Sequence, residues 1–106
     1  MTLTTDRIRA LNDELRRNLP NSHAVMTTGI AALGPEAVAR IVRTIAVYDD
    51  FCHANDPYEE HDFGSFEADG AAVFFKIDLY EEPEVKDSNG EPVVNRVLTI
   101  MLADEY

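Results

Sequence analysis

AAVFFKIDLY, residues 71–80, decides the fold. Ala71, Val73, Phe75, Ile77 and Leu79 occupy alternate positions, with Ala72, Phe74, Lys76, Asp78 and Tyr80 between them. A period of two marks a strand, here with one wholly apolar face and one mixed face. Such a strand needs an apolar layer on one side and tolerates water on the other. An antiparallel sheet covered on one face meets both demands.

Reading outward, Ala68-Asp69-Gly70 is a turn, so Asp62–Glu67 (DFGSFE) pairs with residues 71–80 as a hairpin. Phe63 and Phe66 then lie on opposite faces unless Gly64 marks a bulge. Downstream, the acidic segment Glu81–Pro92 carries the turn signal Asn89-Gly90. Val93–Ala103 follows as a last strand, apolar on both faces at its centre (Val97, Leu98, Ile100, Met101, Leu102). That pattern suits a central strand, or one whose second face meets another subunit.

Toward the N-terminus the period changes to that of a helix. Ile8, Leu11, Leu15 and Leu19 form one stripe of a helix over residues 5–19, capped by Thr4 or Thr5. Asp6 suits its first turn, Arg16 and Arg17 suit its last, and Pro20 stops it. His23–Thr28 reads as a short strand ended by Gly29. Gly34-Pro35-Glu36 opens a second helix whose buried stripe is Val38, Ile41, Val42 and Ile45. The expected order is α-β-α-β-β-β over residues 1–106, a single α+β domain. Two helices pack on one face of a three- to four-stranded, mainly antiparallel sheet. The other face, with Phe74, Tyr80 and Met101, is partly apolar, and a homodimer is one way of covering it.

At 106 residues there is room for one core. The unusual quantity is charge: 20 acids against 9 bases, formally −11. It is unevenly placed. Residues 1–48 hold six bases and four acids (+2), whereas residues 49–106 hold three bases and sixteen acids (−13). Such a surface repels phosphate, which argues against nucleic acid and anionic membrane as direct partners. No apolar stretch approaches the roughly 20 residues of a membrane span. The start of the chain has a helical period instead of a signal peptide's pattern, and the lone Cys52 can close no internal disulfide. A cytoplasmic location is expected.

Chemistry-bearing residue types concentrate in DDFCHANDPYEEH, residues 49–61. A metal reading would use His53, Asp56 and His61, and an acid–base reading would centre on His53, Asp56, Glu60 and His61. The spacing matches no familiar ligand pattern, and no phosphate loop or nucleophile elbow accompanies it. Asn55-Asp56-Pro57 reads instead as an Asx-type turn, with His61 ordering the loop through hydrogen bonds. Cys52 beside Asp49 and Asp50 is ill placed to be a thiolate and reads as a small buried residue. No catalytic residue, metal or cofactor is therefore expected.

The acids themselves remain. Carboxylates gathered on a rigid domain can meet a basic surface built for phosphate. The residues expected to do so are Asp49, Asp50, Asp56, Glu59, Glu60 and Asp62, with Glu81, Glu82 and Glu84 as a second patch.

Four blocks carry a family resemblance: AVMTTGIAALG (24–34), FCHANDPYEEHDFG (51–64), VFFKIDLY (73–80) and RVLTIMLADEY (96–106). They resemble a family of small bacterial proteins of unknown function, found on chromosomes, plasmids and phage-like elements. The resemblance brings no catalytic residues. By analogy it implies a mobile-element role, such as plasmid maintenance or the blocking of host defence. The resulting expectation is a non-enzymatic acidic protein that binds and inhibits a nucleic-acid-handling protein, in the manner of an anti-restriction or anti-CRISPR DNA mimic.

Overall fold

A computed structural model describes residues 4–19 and 24–106, apart from the side chain of Pro83. The elements are α1 (Thr5–Arg17), β1 (Ala24–Met26), α2 (Thr28–Ala31), α3 (Pro35–Ala46), β2 (Phe63–Ala68), β3 (Ala71–Lys86) and β4 (Pro92–Leu102), closed by a 3-10 turn at Ala103–Glu105. The chain is a mixed α/β structure, with a four-stranded sheet in the order β1-β4-β3-β2. Pro20 and His23, read above as a helix stop and the start of a strand, lie outside the described residues.

Local chemistry accounts for most of the boundaries. The Thr4 side chain accepts the Arg7 N–H and caps α1. Pro35 starts α3 where its missing N–H costs nothing. Asp69 and Gly70 both take positive φ (51° and 79°), the geometry of a tight two-residue turn between Ala68 and Ala71. The β2–β3 register runs unbroken from Phe63 to Ala68, so Gly64 is no bulge. Phe63 and Phe66 do take opposite faces.

Three features depart from the expected order. β1 pairs parallel to β4, which seats β4 inside the sheet as its two apolar faces predict, and a one-turn helix, α2, follows β1. Glu105, at the far end of the chain, explains α2. Its carboxylate accepts from the Thr27 hydroxyl (2.6 Å), the Leu102 N–H (2.9 Å) and the Gly29 N–H (3.1 Å). Finally, β3 runs on to Lys86 through the acidic segment, because β4 supplies partners for Glu81 (Val94) and Glu82 (Val93). The ladder overrides the poor strand propensity of glutamate. Beyond the sheet body, β3 and β4 therefore form a two-stranded arm with Leu79, Tyr80, Val85 and Val94 exposed.

The core lies between the helices and the inner sheet face. Ile30, Ile41 and Ile45 pack with Val73, Phe75, Ile77, Leu98 and Ile100. Removing these side chains from water is the main favourable contribution to folding, about 1.5–3 kcal/mol for each large one. Gly64 belongs to this core for lack of a side chain: a Cβ there would strike the Phe75 and Tyr48 rings.

Candidate functional site

The loop from Tyr48 to Asp62 is fastened at its start by aromatic rings. Tyr48 packs edge-on against Phe51 (4.8 Å between centroids) and Phe75 (5.2 Å). The carbonyls of Asp50 and Ser65, each 3.1 Å away, share the single Tyr48 hydroxyl proton, and the hydroxyl oxygen accepts the Ser65 N–H. Those Ser65 groups belong to the outer edge of β2, so Tyr48 closes the middle of that edge against pairing with another chain.

Arg16 completes the fastening. Its place in the last turn suits the dipole of its own helix, but its side chain turns inward and is 3% exposed. One guanidinium nitrogen donates to the carbonyls of Ile45 (2.9 Å) and Tyr48 (2.8 Å), another to Asp13 (2.7 Å). The group also lies 5.0 Å over the Phe51 ring. A buried cation thus serves the carbonyls at the end of α3, that of Tyr48 alone and that of Ile45 beside the Tyr48 N–H, which makes Asp49 and Asp50 tolerable just beyond it.

The far end of the loop is fastened through its backbone. Arg9 donates to the Glu59 carbonyl (3.0 Å), and Asn12 donates to the Glu60 carbonyl (2.9 Å). Arg96 in turn donates to the Asn12 side chain (3.1 Å). Glu59 and His61 both hold left-handed backbone, φ 57° and 56°, a strain that these bonds must sustain. His61 stacks flat on Phe51 (3.8 Å, 4°), and its Nδ1 meets Asp13 at 2.9 Å. Burial alone would push the Asp13 carboxyl up, but hydrogen bonds with Arg16 and His61 hold it below its ordinary value.

Asp56 corrects the expectation that placed it on a partner surface. It is 4% exposed, and its carboxylate accepts the N–H groups of Glu60 (3.0 Å) and His61 (3.1 Å). The Asx-type role is realised across five residues rather than within one turn. Cys52 is corrected in the opposite sense, because it is exposed. Its backbone is held by Asn55 and Asp56, while the neighbouring Phe51 takes the interior place.

Cys52, His53, Asp56, Glu59 and His61 line a cavity of about 180 Å³ together with Arg9. The structure therefore brings His53, Asp56 and His61 to one place, without Glu60. They do not form a ligand set: among the described residues, no three His, Cys, Asp or Glu side chains are placed to hold a metal ion. Asp56 and His61 are already spent on the loop's own hydrogen bonds.

The remaining acids stand differently. Asp49, Asp50, Glu59, Glu81, Glu82 and Glu84 are exposed, and Glu60 and Asp62 are half-buried. None of the eight enters an ion pair among the described residues. Glu60 and Asp62 share a small cavity with Ile77 and Leu79. Glu81 follows Leu79 on the same strand face, so the loop acids run on into the arm. Burial pushes the Asp62 carboxyl up. Its own N–H draws it partly back, and the Asp56 and Asp78 carboxylates add to the rise.

The residues that organise this site, Arg9, Asn12, Asp13 and Arg16, were not legible as site residues. Their spacing of 3, 1 and 3 is a second helical stripe, beside the apolar one. Polar stripes usually face water. This one faces the loop.

The fold and the site define a class: a mixed α/β protein with helices on one sheet face and an acid-rich loop clamped to the first helix. Within it the family is shown. Residues 26–105 match the family described as Protein of unknown function (DUF3768), and the chain belongs to that family. No curated protein and no solved structure matches it.

Proposed function

We propose that the chain is a non-enzymatic interaction protein whose carboxylates dock on a basic surface of a nucleic-acid-handling protein. The docking residues are Asp49, Asp50, Glu59, Glu60 and Asp62, with Glu81, Glu82 and Glu84 on the arm. One observation carries the reading. The loop is held through backbone carbonyls, by Arg9 and Asn12, and through the buried Asp56, so the carboxylates of Glu59 and Glu60 remain unspent on a fixed frame. Like charges held together oppose folding, and nothing in the packing requires them. Arg- and Lys-lined grooves that normally receive phosphate are their natural counterpart. A role in blocking restriction or CRISPR machinery, by imitating DNA, extends this reading from the mobile-element resemblance.

The test is capture of a partner from the native host with and without competing DNA, followed by binding measurements on the purified pair. Converting Glu59, Glu60 and Asp62 to amides removes three solvent-reachable charge contacts of about 0.2–1 kcal/mol each, a weakening of about 3- to 150-fold with the fold retained. Binding should also fall as salt rises. A partner held equally well after neutralisation and in high salt overturns the proposal.

A further inference from the structure

The helices cover one face of the sheet, and the opposite face carries no helix, although Met101 on it is already buried and the loop reaches its β2 margin. Across the β3–β4 ladder that face reads Phe74–Met101, Lys76–Thr99, Asp78–Val97 and Tyr80–Asn95. Val25, opposite Thr99, extends it on the β1 side, and Phe63, opposite Lys76, on the β2 side. Phe63, Phe74 and Tyr106 meet edge to face, with centroids 5.2–5.9 Å apart. The apolar groups here are therefore contiguous rather than scattered. Tyr106, Tyr80 and Val25 are 75%, 53% and 51% exposed. Contiguous apolar surface of this kind marks a contact site.

Charge identifies the occupant. A chain of net charge −11 repels its own copies everywhere except where its surface is neutral. The centre of this face is such a place. Its charged side chains are Lys76 and Asp78, paired at 3.1 Å, with the half-buried Asp62 at the loop margin and Glu67 and Glu82 near opposite ends. One cation and one anion two residues apart on a strand are self-complementary. A two-fold axis crossing β3 between them brings each onto its opposite in the partner, as an isologous contact requires. Sheets packed face to face cross at about 30°, which splays their ends and leaves the end glutamates in water. The β2 edge, by contrast, is closed at Ser65 by Tyr48, so edge-to-edge pairing there is blocked.

We infer that the open sheet face is the contact surface of a homodimer, packed sheet on sheet with Lys76 of one chain against the partner's Asp78. This surface is centred away from the acidic docking residues and meets them only at its margins, at Glu82 and at Asp62, which lines a cavity with Lys76 and Asp78.

The test is sedimentation equilibrium of the full chain from low to high micromolar concentration, with circular dichroism confirming the fold of each variant. The wild type should approach twice the chain mass. Lys76→Asp alone places like charges in contact, as does Asp78→Lys alone, and each should weaken self-association at least tenfold. An equimolar mixture of the two variants restores opposite charges at both contacts and should dimerise. A wild type of single-chain mass throughout overturns the inference without recourse to variants. Variants that associate as tightly as the wild type overturn it, as does a mixture that fails to associate.

Discussion

Replacing Arg16 by Leu tests the organisation of the whole site. The change leaves the Tyr48 carbonyl without its donor and the Ile45 carbonyl with only the longer Tyr48 N–H bond (3.3 Å), removes the cation over Phe51, and leaves Asp13 facing only His61. Each unsatisfied buried acceptor costs about 1–3 kcal/mol, and breaking one side of a buried ion pair costs about 3–5 kcal/mol. These costs overlap, because one side chain provides all the bonds, so the expected loss is about 3–5 kcal/mol. A domain of this size has roughly 5–15 kcal/mol in hand. Equilibrium unfolding in urea, followed by circular dichroism, reads the loss as a midpoint lowered by roughly 2 M, for an m-value of about 2 kcal/mol/M. Arg16→Lys, which keeps the charge but not the planar fork, should fall between the two. The pH dependence adds a second readout. Asp13 titrates below its ordinary 3.8 in the folded chain, so its contribution is present above that value and fades as pH falls through the folded one. The gap between wild type and Arg16→Leu should therefore narrow in acid. A loss below about 1 kcal/mol, or a gap that widens in acid, would refute this account of the clamp.

Two further substitutions probe the frame. Gly64→Ala puts a methyl group 2.7 Å from the Tyr48 ring and against that of Phe75. Both rings are buried, so overpacking should cost about 1–3 kcal/mol, measured as a lowered unfolding midpoint. Glu105→Gln addresses the closure of the C-terminal turn on α2. The Thr27 hydroxyl first, then the Leu102 N–H, hold the Glu105 carboxyl below its ordinary 4.5. Its contribution is present above pH 4.5 and is lost as pH falls through the folded value. Thermal unfolding as a function of pH should show a flatter acid limb in the variant than in the wild type.

The strands were legible where side chains alternate cleanly. Residues 71–80 announced β3, and the Asp69-Gly70 turn set its pairing with β2, because both signals are local. The continuation of β3 to Lys86 was hidden, because Glu81 and Glu82 are poor strand formers until β4 pairs with them. The loop was legible as a concentration of chemistry but not as a geometry. Asp56 and Glu59 look alike in sequence, yet one is buried under two backbone N–H groups and the other lies in solvent. Cys52 and Phe51 divide inside from outside in a way that hydropathy alone does not rank.

By itself, then, the order of residues determined the main helices and strands, α2 and the continuation of β3 past Tyr80 apart, where the turns fall, and that negative charge gathers after residue 48. These are properties of neighbours along the chain, through side-chain period, backbone preference and formal charge. Only the folded arrangement decided that β1 lies beside β4, that Arg16 and Asn12 turn inward, and that the loop is held by its carbonyls with its carboxylates left free. Those outcomes depend on contacts between residues dozens of positions apart, such as Arg16 with Ile45, Asn12 with Arg96 and Glu105 with Thr27. A buried polar group takes the partner that the tertiary packing brings to it, and no local pattern encodes that choice.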